Sequence, residues 1–424
     1  MRDSQSPVLL APMICLLALP AAATAQETRT APLALPAEPE EESPIEKRLG
    51  LRLSLGIETD DNILHLRDDA IDEFESGGFD PDRFLISSVE DTIYSPRLDL
   101  TYSLTPETRR KTHFGVTAAA YRYADNSIKD YERYQLRFER DFSDTRPDLR
   151  QLELATEDLR STRFRTRRAF LRANRSRLRL SYSFGPERYV GQLTDDDVGG
   201  RASARVESES WAARYLQRLD RGAESRWSLL LGLRRDEYDY NTEFDERDSD
   251  RDRYEIGLNR FALSESAYWL TGLSIEFAER RSNTALIGRQ GPGGTIQDDL
   301  SYDGEALILR VGRYWYRMQG GRSLYKSSSL FLEVDIGTKD YITRNEQDLS
   351  HFGRDDDYLD VFLGLNHPLN NRWVLHLWAE YSQQETNLDL VAGFDRLEPS
   401  DFENVVLGLR ISFYASRKTE RVRR

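Results

Sequence analysis

The chain has 424 residues and carries 73 acidic against 59 basic side chains, a formal net charge of −14 at pH 7. Its one cysteine, Cys15, excludes an internal disulfide. No apolar run after residue 25 reaches the ~20 residues that a membrane-spanning helix needs, which excludes a helical membrane protein but not one that crosses with strands.

Arg2 precedes an apolar stretch over residues 8–19, and Ala23-Thr24-Ala25 supplies the small-x-small pattern of a signal-peptidase site. Residues 1–25 are therefore expected to be a cleaved export signal. Cys15 lies inside it, behind Ile14, which is too bulky for a lipoprotein cleavage box. Residues 26–49 include Pro36-Ala37-Glu38-Pro39-Glu40-Glu41-Glu42-Ser43-Pro44. Such a composition buries too little apolar surface to fold, so a disordered periplasmic linker is expected.

From residue 50 to 414 the apolar period is two. Leu51, Leu53, Leu55 and Ile57 alternate with Arg52, Ser54, Gly56 and Glu58. The same holds for Leu98, Leu100 and Tyr102, for Leu178, Leu180 and Tyr182, for Leu330, Leu332 and Val334, and for Leu375, Leu377 and Ala379. Amphipathic helices would repeat at three and four. The last strand, residues 402–414, sets Val405, Leu407, Leu409, Ile411 and Phe413 on one face and Asn404, Gly408, Arg410 and Ser412 on the other.

A soluble β-sandwich alternates too, so the connections decide. Short turns at residues 105–110, 143–148, 220–225, 264–266, 319–326 and 367–371 alternate with longer, mostly acidic loops at 59–91, 125–129, 186–204, 241–251, 281–302, 341–355 and 387–401. Short turns on one side and long loops on the other describe a closed antiparallel transmembrane β-barrel, with periplasmic turns and extracellular loops. Several strands reach the ~9–11 residues needed to cross tilted. Strands at 130–142 and 205–219 must both run inward, which requires an odd number between them. Three strands, at 149–157, 164–173 and 176–185, give sixteen in all; a single one gives fourteen. Trp211, Trp227, Trp269, Trp315 and Trp373 fall within or near proposed strands, as interfacial girdles require.

A barrel of about sixteen strands encloses water. Residues opposite the apolar faces are its expected lining: Arg52, Glu58, Asp99, Arg137, Glu139, Arg177, Arg179, Arg234, Arg310, Glu333, Asp335, Asp360, His376, Glu380 and Arg410. Arginines crowd at 160, 163, 165, 167, 168, 172, 175, 177 and 179. A free basic strip would favour anions; paired with carboxylates on neighbouring strands, it would carry no net field.

The acidic loops suit lipopolysaccharide bridged by cations, or simple solvation. Asp248, Asp250 and Asp252 begin like a calcium loop, but Arg253 occupies the place of the turn glycine and Asn259 that of the bidentate glutamate. None of the five histidines, His65, His113, His351, His367 and His376, has metal-ligand spacing. Gln290-Gly291-Pro292-Gly293-Gly294 lacks a phosphate cradle's ending. No cofactor and no metal are expected. A hydrolase built from scattered side chains, around His376 and Ser382 for instance, is a separate reading. The basic tail, residues 415–424, is expected to meet acidic linkers, anionic lipid or peptidoglycan rather than nucleic acid.

The spacing of Gly408, Ile411 and Phe413 resembles the closing-strand signal read by the outer-membrane barrel-insertion machinery. Gly56-Ile57-Glu58-Thr59-Asp60-Asp61-Asn62 and Tyr94-Ser95-Pro96-Arg97-Leu98-Asp99-Leu100-Thr101-Tyr102 resemble the first two strands of β-barrel porins found with exopolysaccharide export systems. That likeness implies a passive outer-membrane conduit for hydrophilic solutes, including anionic ones and polysaccharide, with no catalytic residues. The C-terminal texture is also similar to barrels that assist surface-lipoprotein export, a non-conducting alternative. Either way the expected surroundings are outer-membrane lipid and lipopolysaccharide.

Overall fold

The computed structural model describes residues 48–77, 85–104, 112–142, 176–195, 200–219, 224–241, 244, 247–264, 266–282, 299–319, 322–343, 348, 351–387 and 401–415. The segments expected as export signal, linker and basic tail lie almost wholly outside these residues. Fourteen strands make up the fold: β1 (Leu49–Asp60), β2 (Asp91–Ser103), β3 (Thr112–Tyr123), β4 (Tyr131–Asp141), β5 (Arg177–Asp195), β6 (Gly200–Arg218) and β7 (Ser225–Tyr240), then β8 (Ser249–Leu263), β9 (Ala267–Ser282), β10 (Tyr302–Gln319), β11 (Arg322–Tyr341), β12 (Asp355–Pro368), β13 (Trp373–Thr386) and β14 (Phe402–Tyr414). Each pairs antiparallel with the next, and β14 returns to β1, so the sheet is a closed barrel with no free edge. A short helix, α1 (Asp68–Glu75), lies in the β1–β2 connection.

The two counts the sequence allows, sixteen and fourteen, are resolved to fourteen. β4 pairs directly with β5, Asp141 opposite Arg177 and Tyr134 opposite Phe184. That ladder leaves no place in the wall for strands at 149–157 and 164–173, which lie outside the described residues. Parity survives because one strand is as odd as three. A second difference concerns residues 186–204, expected as a long loop. β5 instead runs on to Asp195 and β6 starts at Gly200. Register shifts between Gly185 and Arg188 and between Tyr189 and Gly191 absorb Pro186 without ending the ladder.

The outer face is apolar. On β8, Tyr254, Ile256 and Leu258 are exposed while Glu255, Gly257 and Asn259 between them are buried. Leu55, Leu136, Leu233, Leu273 and Ile336 each leave at least half of their surface uncovered by protein. At about 25 cal/mol per Å², a belt of this kind all round the wall is not stable in water, and in a bilayer it is the solvated face.

The two rims of the belt differ. Towards the periplasm Trp227, Trp269 and Trp373 are exposed, and the Arg313 guanidinium lies 5.3 Å from Trp269 and 5.5 Å from Trp315. Towards the outside the same face turns acidic, where a groove of about 670 Å³ has Leu307 and Ile336 beside Glu305, Asp357 and Glu385.

β14 closes the ring as its pattern suggests. Leu55 opposes Ile411 and Ile57 opposes Leu409 on the lipid side. Inside, Ser54 Oγ and Ser412 Oγ are 2.9 Å apart. Gly408 faces the lumen against Trp378, where a Cβ would come within 2.0 Å of the indole. Phe413 packs on Trp373 with ring centroids 4.9 Å apart.

Candidate functional site: the charged lumen

Strand alternation alone dictates that every residue one step from the belt faces inward. All the expected lining residues lie on this inner face, but they fall into separate groups. At the β1–β2 wall, Arg52 reaches Asp99 at 2.8 Å, and Asp99 also holds Arg97 at 2.9 Å and accepts from Thr117 at 2.8 Å. Across the seam, Arg410 lies 3.3 Å from Glu58 and stands over Trp378 at 5.1 Å.

On the β4–β5 wall, Arg179 meets Glu139 at 2.9 Å, and Arg177 meets Asp141 at 3.0 Å and Glu139 at 3.4 Å. The described part of the arginine strip is therefore matched by carboxylates; arginines 160–175 lie outside the described residues. Arg137 on β4 has no carboxylate within 4.0 Å among the described residues, and its guanidinium lies over Gly115.

A third group spans four strands. Glu255 on β8 receives Arg214 from β6 at 2.7 Å and Arg310 from β10 at 2.5 Å, and Arg310 also donates to Glu333 on β11. Both pairs of Glu255 skip a strand because the residue between is small: Gly232 on β7, where a Cβ would sit 3.0 Å from that of Glu255, and Ser274 on β9, which accepts from Arg310 at 3.0 Å. Nearer the outside, Asp236 gathers Arg234 at 2.7 Å, Arg251 at 3.1 Å and Arg253 at 3.1 Å. The sequence reading named Arg234 and Arg310 but missed Arg214, Asp236, Arg251, Arg253 and Glu255. Their inward parity was legible; their partnership was not.

The β11–β13 wall is different. Asp335 and Asp360 stand directly opposite one another in register, and Glu380 lies on the next strand, beside Phe362. Among the described residues, none of these three carboxylates has an arginine or lysine within salt-bridge distance, and Asp335 Oδ1 is buried without a hydrogen-bond partner. Between them the wall is aromatic, with Phe331 and Phe362 6.4 Å apart. Since β4 and β11 are seven places apart in the ring of fourteen, Arg137 and Asp335 occupy opposite walls.

His376 donates to or accepts from Ser412 Oγ at 3.0 Å through Nε2 and pairs with Asn366 through Nδ1. Ser382, the expected partner, lies opposite Asp360 and Asn404 instead. The order Ser–His–Asn matches a nucleophile–base–orienter chain. Ser412, however, has no exposed surface and shares its hydroxyl with Ser54. The backbone around it lies in a strand paired on both sides, with β1 and with β13.

At the extracellular mouth the β1–β2 connection folds inward. Asn62 is buried and donates to Glu403 O at 3.0 Å and Leu66 O at 2.8 Å. His65 stacks on Phe402, with centroids 4.6 Å apart. Lys129, from the β3–β4 turn, donates its ammonium to Ile63 O at 2.7 Å. Burial first, then the charges of Lys129, Lys339 and Arg188, push the His65 imidazole down to about 4. Over the β11–β12 connection, His351 is buried against Asp348 at 3.0 Å, and Arg354 forks onto Asp356 at 2.7 and 2.8 Å.

No family model matches the chain, and no curated protein does. Among solved structures it is similar to a bacterial polysaccharide outer membrane secretin, at 9% identity over 87% of this chain and 99% of that one, with a TM-score of 0.36. OccAB3 of Acinetobacter baumannii shares 11% identity over 86% and 99%, with a TM-score of 0.37. An anion-selective porin from Comamonas acidovorans shares 12% identity over 86% and 98%, with a TM-score of 0.30. At such scores these likenesses say nothing of solute or activity. Closure of the ladder and the apolar belt stand without them: only helices and closed barrels satisfy every backbone group in lipid. This chain is a fourteen-strand transmembrane β-barrel of the bacterial outer-membrane type.

Proposed function

We propose that the barrel is a passive, porin-like channel for hydrophilic solutes. The observation that carries this reading is the wetness of the inner wall. The side chains of Arg214, Arg179 and Arg234 keep 50%, 43% and 39% of their surface open, although all three face inward. A lumen filled by its own side chains would leave them covered. Anionic solutes and polysaccharide remain the finer proposal for cargo. The Arg177–Arg179 strip lends it little support, because Glu139 and Asp141 neutralise both arginines.

A liposome-swelling assay with neutral sugars of increasing size tests the channel. Swelling that falls off smoothly with solute size supports it, and impermeable liposomes containing folded barrel would refute it. A non-conducting, export-assisting barrel is the second reading, favoured by the inward fold of residues 62–66 over the mouth. The hydrolase reading predicts fluorophosphonate labelling of Ser412; the burial of that hydroxyl predicts none.

The partners follow the surfaces. Lipid acyl chains meet the belt, and the acidic rim groove suits cation-bridged lipopolysaccharide. The closing strand, with Gly408, Ile411 and Phe413, would be the segment that the insertion machinery reads.

A further inference from the structure

We propose that Arg234, Arg251 and Arg253, gathered around the buried Asp236 on the inner face of β7 and β8, form a binding site for an oxyanion: the phosphate or carboxylate group of a hydrophilic solute. Its place in solute passage rests on the channel reading; the binding itself does not.

Direct contact with one carboxylate brings the three guanidiniums together. Arg234 opposes Arg253 in the β7–β8 ladder, and Asp236 opposes Arg251. Asp236 Oδ1 accepts from Arg234 Nε at 2.7 Å and from the Ser210 hydroxyl. Its Oδ2 accepts from Arg251 Nη2 and Arg253 Nη2, each at 3.1 Å. Both oxygens are therefore filled from within the wall. The second acid at the patch is Glu276 on β9, 3.8 Å from Arg253 Nη1. Three cations against these two carboxylates leave one positive charge over. The β4–β5 wall differs, because there two arginines meet two acids, Glu139 and Asp141.

The order of burial decides what the lumen meets. The Asp236 side chain is 3% exposed, whereas those of Arg234, Arg251 and Arg253 are 39%, 26% and 22% exposed. The acid lies beneath and the guanidiniums stand over it, so an entering anion reaches N–H groups before it reaches a carboxylate. Arg234 spends only its Nε, on Asp236 and Ser210. Among the described residues its two terminal nitrogens have no hydrogen-bond partner, which leaves an open fork of donors. Arg251 is fixed by donating to the Tyr238 hydroxyl at 2.7 Å, and its guanidinium and that of Arg280 lie 5.6 and 5.5 Å from the Tyr238 ring centroid. In the row of Arg234 and Arg253 the flanking residues are Ala212 on β6, Ala278 on β9 and Gly304 on β10, so no large side chain in that row covers the patch. A guanidinium already held by a buried acid loses little freedom on binding, and its planar fork matches two oxygens of one oxyanion.

The test uses the full chain folded in detergent, with inorganic phosphate as the probe, followed by calorimetry at low ionic strength. Arg234→Gln is expected to weaken binding about tenfold, as loss of one charge-assisted fork implies. Arg234→Lys keeps the charge but not the planar fork, and its affinity is expected to fall between the two; it also carries the test should the glutamine variant not fold. Arg179→Gln makes the same charge change on the inner face of β5, beside Glu139, and is expected to leave binding intact. Gluconate, titrated in parallel, is expected to compete for the same site, and the tighter of the two names the preferred group. Chloride at matched ionic strength offers the fork no pair of oxygens and is expected not to displace either. Binding of neither probe, equal weakening by Arg179→Gln, or equal displacement by chloride overturns the site. Measured beside solute flux, the outcomes separate: flux without binding sinks the site alone, and binding without flux sinks the channel alone.

Discussion

The β4–β5 wall and the β11–β13 wall face each other across the lumen, and they handle charge in opposite ways. On the first, Arg177 and Arg179 are met by Glu139 and Asp141. On the second, Asp335 and Asp360 are set side by side, with Glu380 on the strand beyond, and among the described residues none of the three forms a salt bridge. The arginine-rich wall is thus electrically the quieter one. On these two walls the charge balance is set by what lies across the strand as well as by what runs along it, because neighbours on adjacent strands are closer than i and i+2 along one strand.

Glu139→Gln breaks the comparison most strongly. It leaves Arg177 with only Asp141 and takes from Arg179 its one carboxylate partner among the described residues, and discounted for the partial exposure of both arginines it is expected to cost about 1–3 kcal/mol. Thermal unfolding followed on gels would register that loss, and reversal potentials would move towards anions. Gly408→Ala acts near the other wall, where the new Cβ would collide with Trp378; about 1–2 kcal/mol of overpacking is expected, seen as a lower unfolding midpoint in urea. Asp360→Asn goes the other way. Removing one of two like charges directly opposed in a sheet is expected to stabilise the barrel by up to about 1 kcal/mol and to lower cation preference in a salt gradient.

The smallest effect is a pH response at the mouth. His65 in the folded chain protonates only near 4, against an ordinary value near 6.5. The unfolded or opened segment therefore binds more protons in that window, and the loop is expected to loosen as pH falls from about 6.5 towards 4 and to be unaffected above it. Hydrogen exchange of residues 62–66, corrected for intrinsic rates, would rise on acidification. His65→Phe would remove the imidazole's share of the pH dependence while retaining the stack on Phe402.

Much of the architecture is legible in the sequence because lipid on one face and water on the other write period two into strand after strand. The last strand shows why this works: Leu407, Leu409, Ile411 and Phe413 needed no partner to be assigned to lipid. Residues 143–175 show where it stops. Their alternation satisfies a strand template, and parity accepts one strand or three; only the direct β4–β5 ladder decides. The site was less legible for the same reason. Parity assigns Arg310 to the inner face, but nothing along the chain says that it crosses β9 above Ser274 to reach Glu255. His65, Lys129 and Phe402 come from three distant stretches that only the closed ring brings to one mouth.

Single-channel recording in planar bilayers tests the central claim most directly. Refolded barrel, verified by its heat-shifted mobility, is expected to give discrete conductance steps, with a reversal potential that Glu139→Gln and Asp360→Asn both move towards anions. Folded protein that inserts yet gives no steps at any voltage would contradict the account.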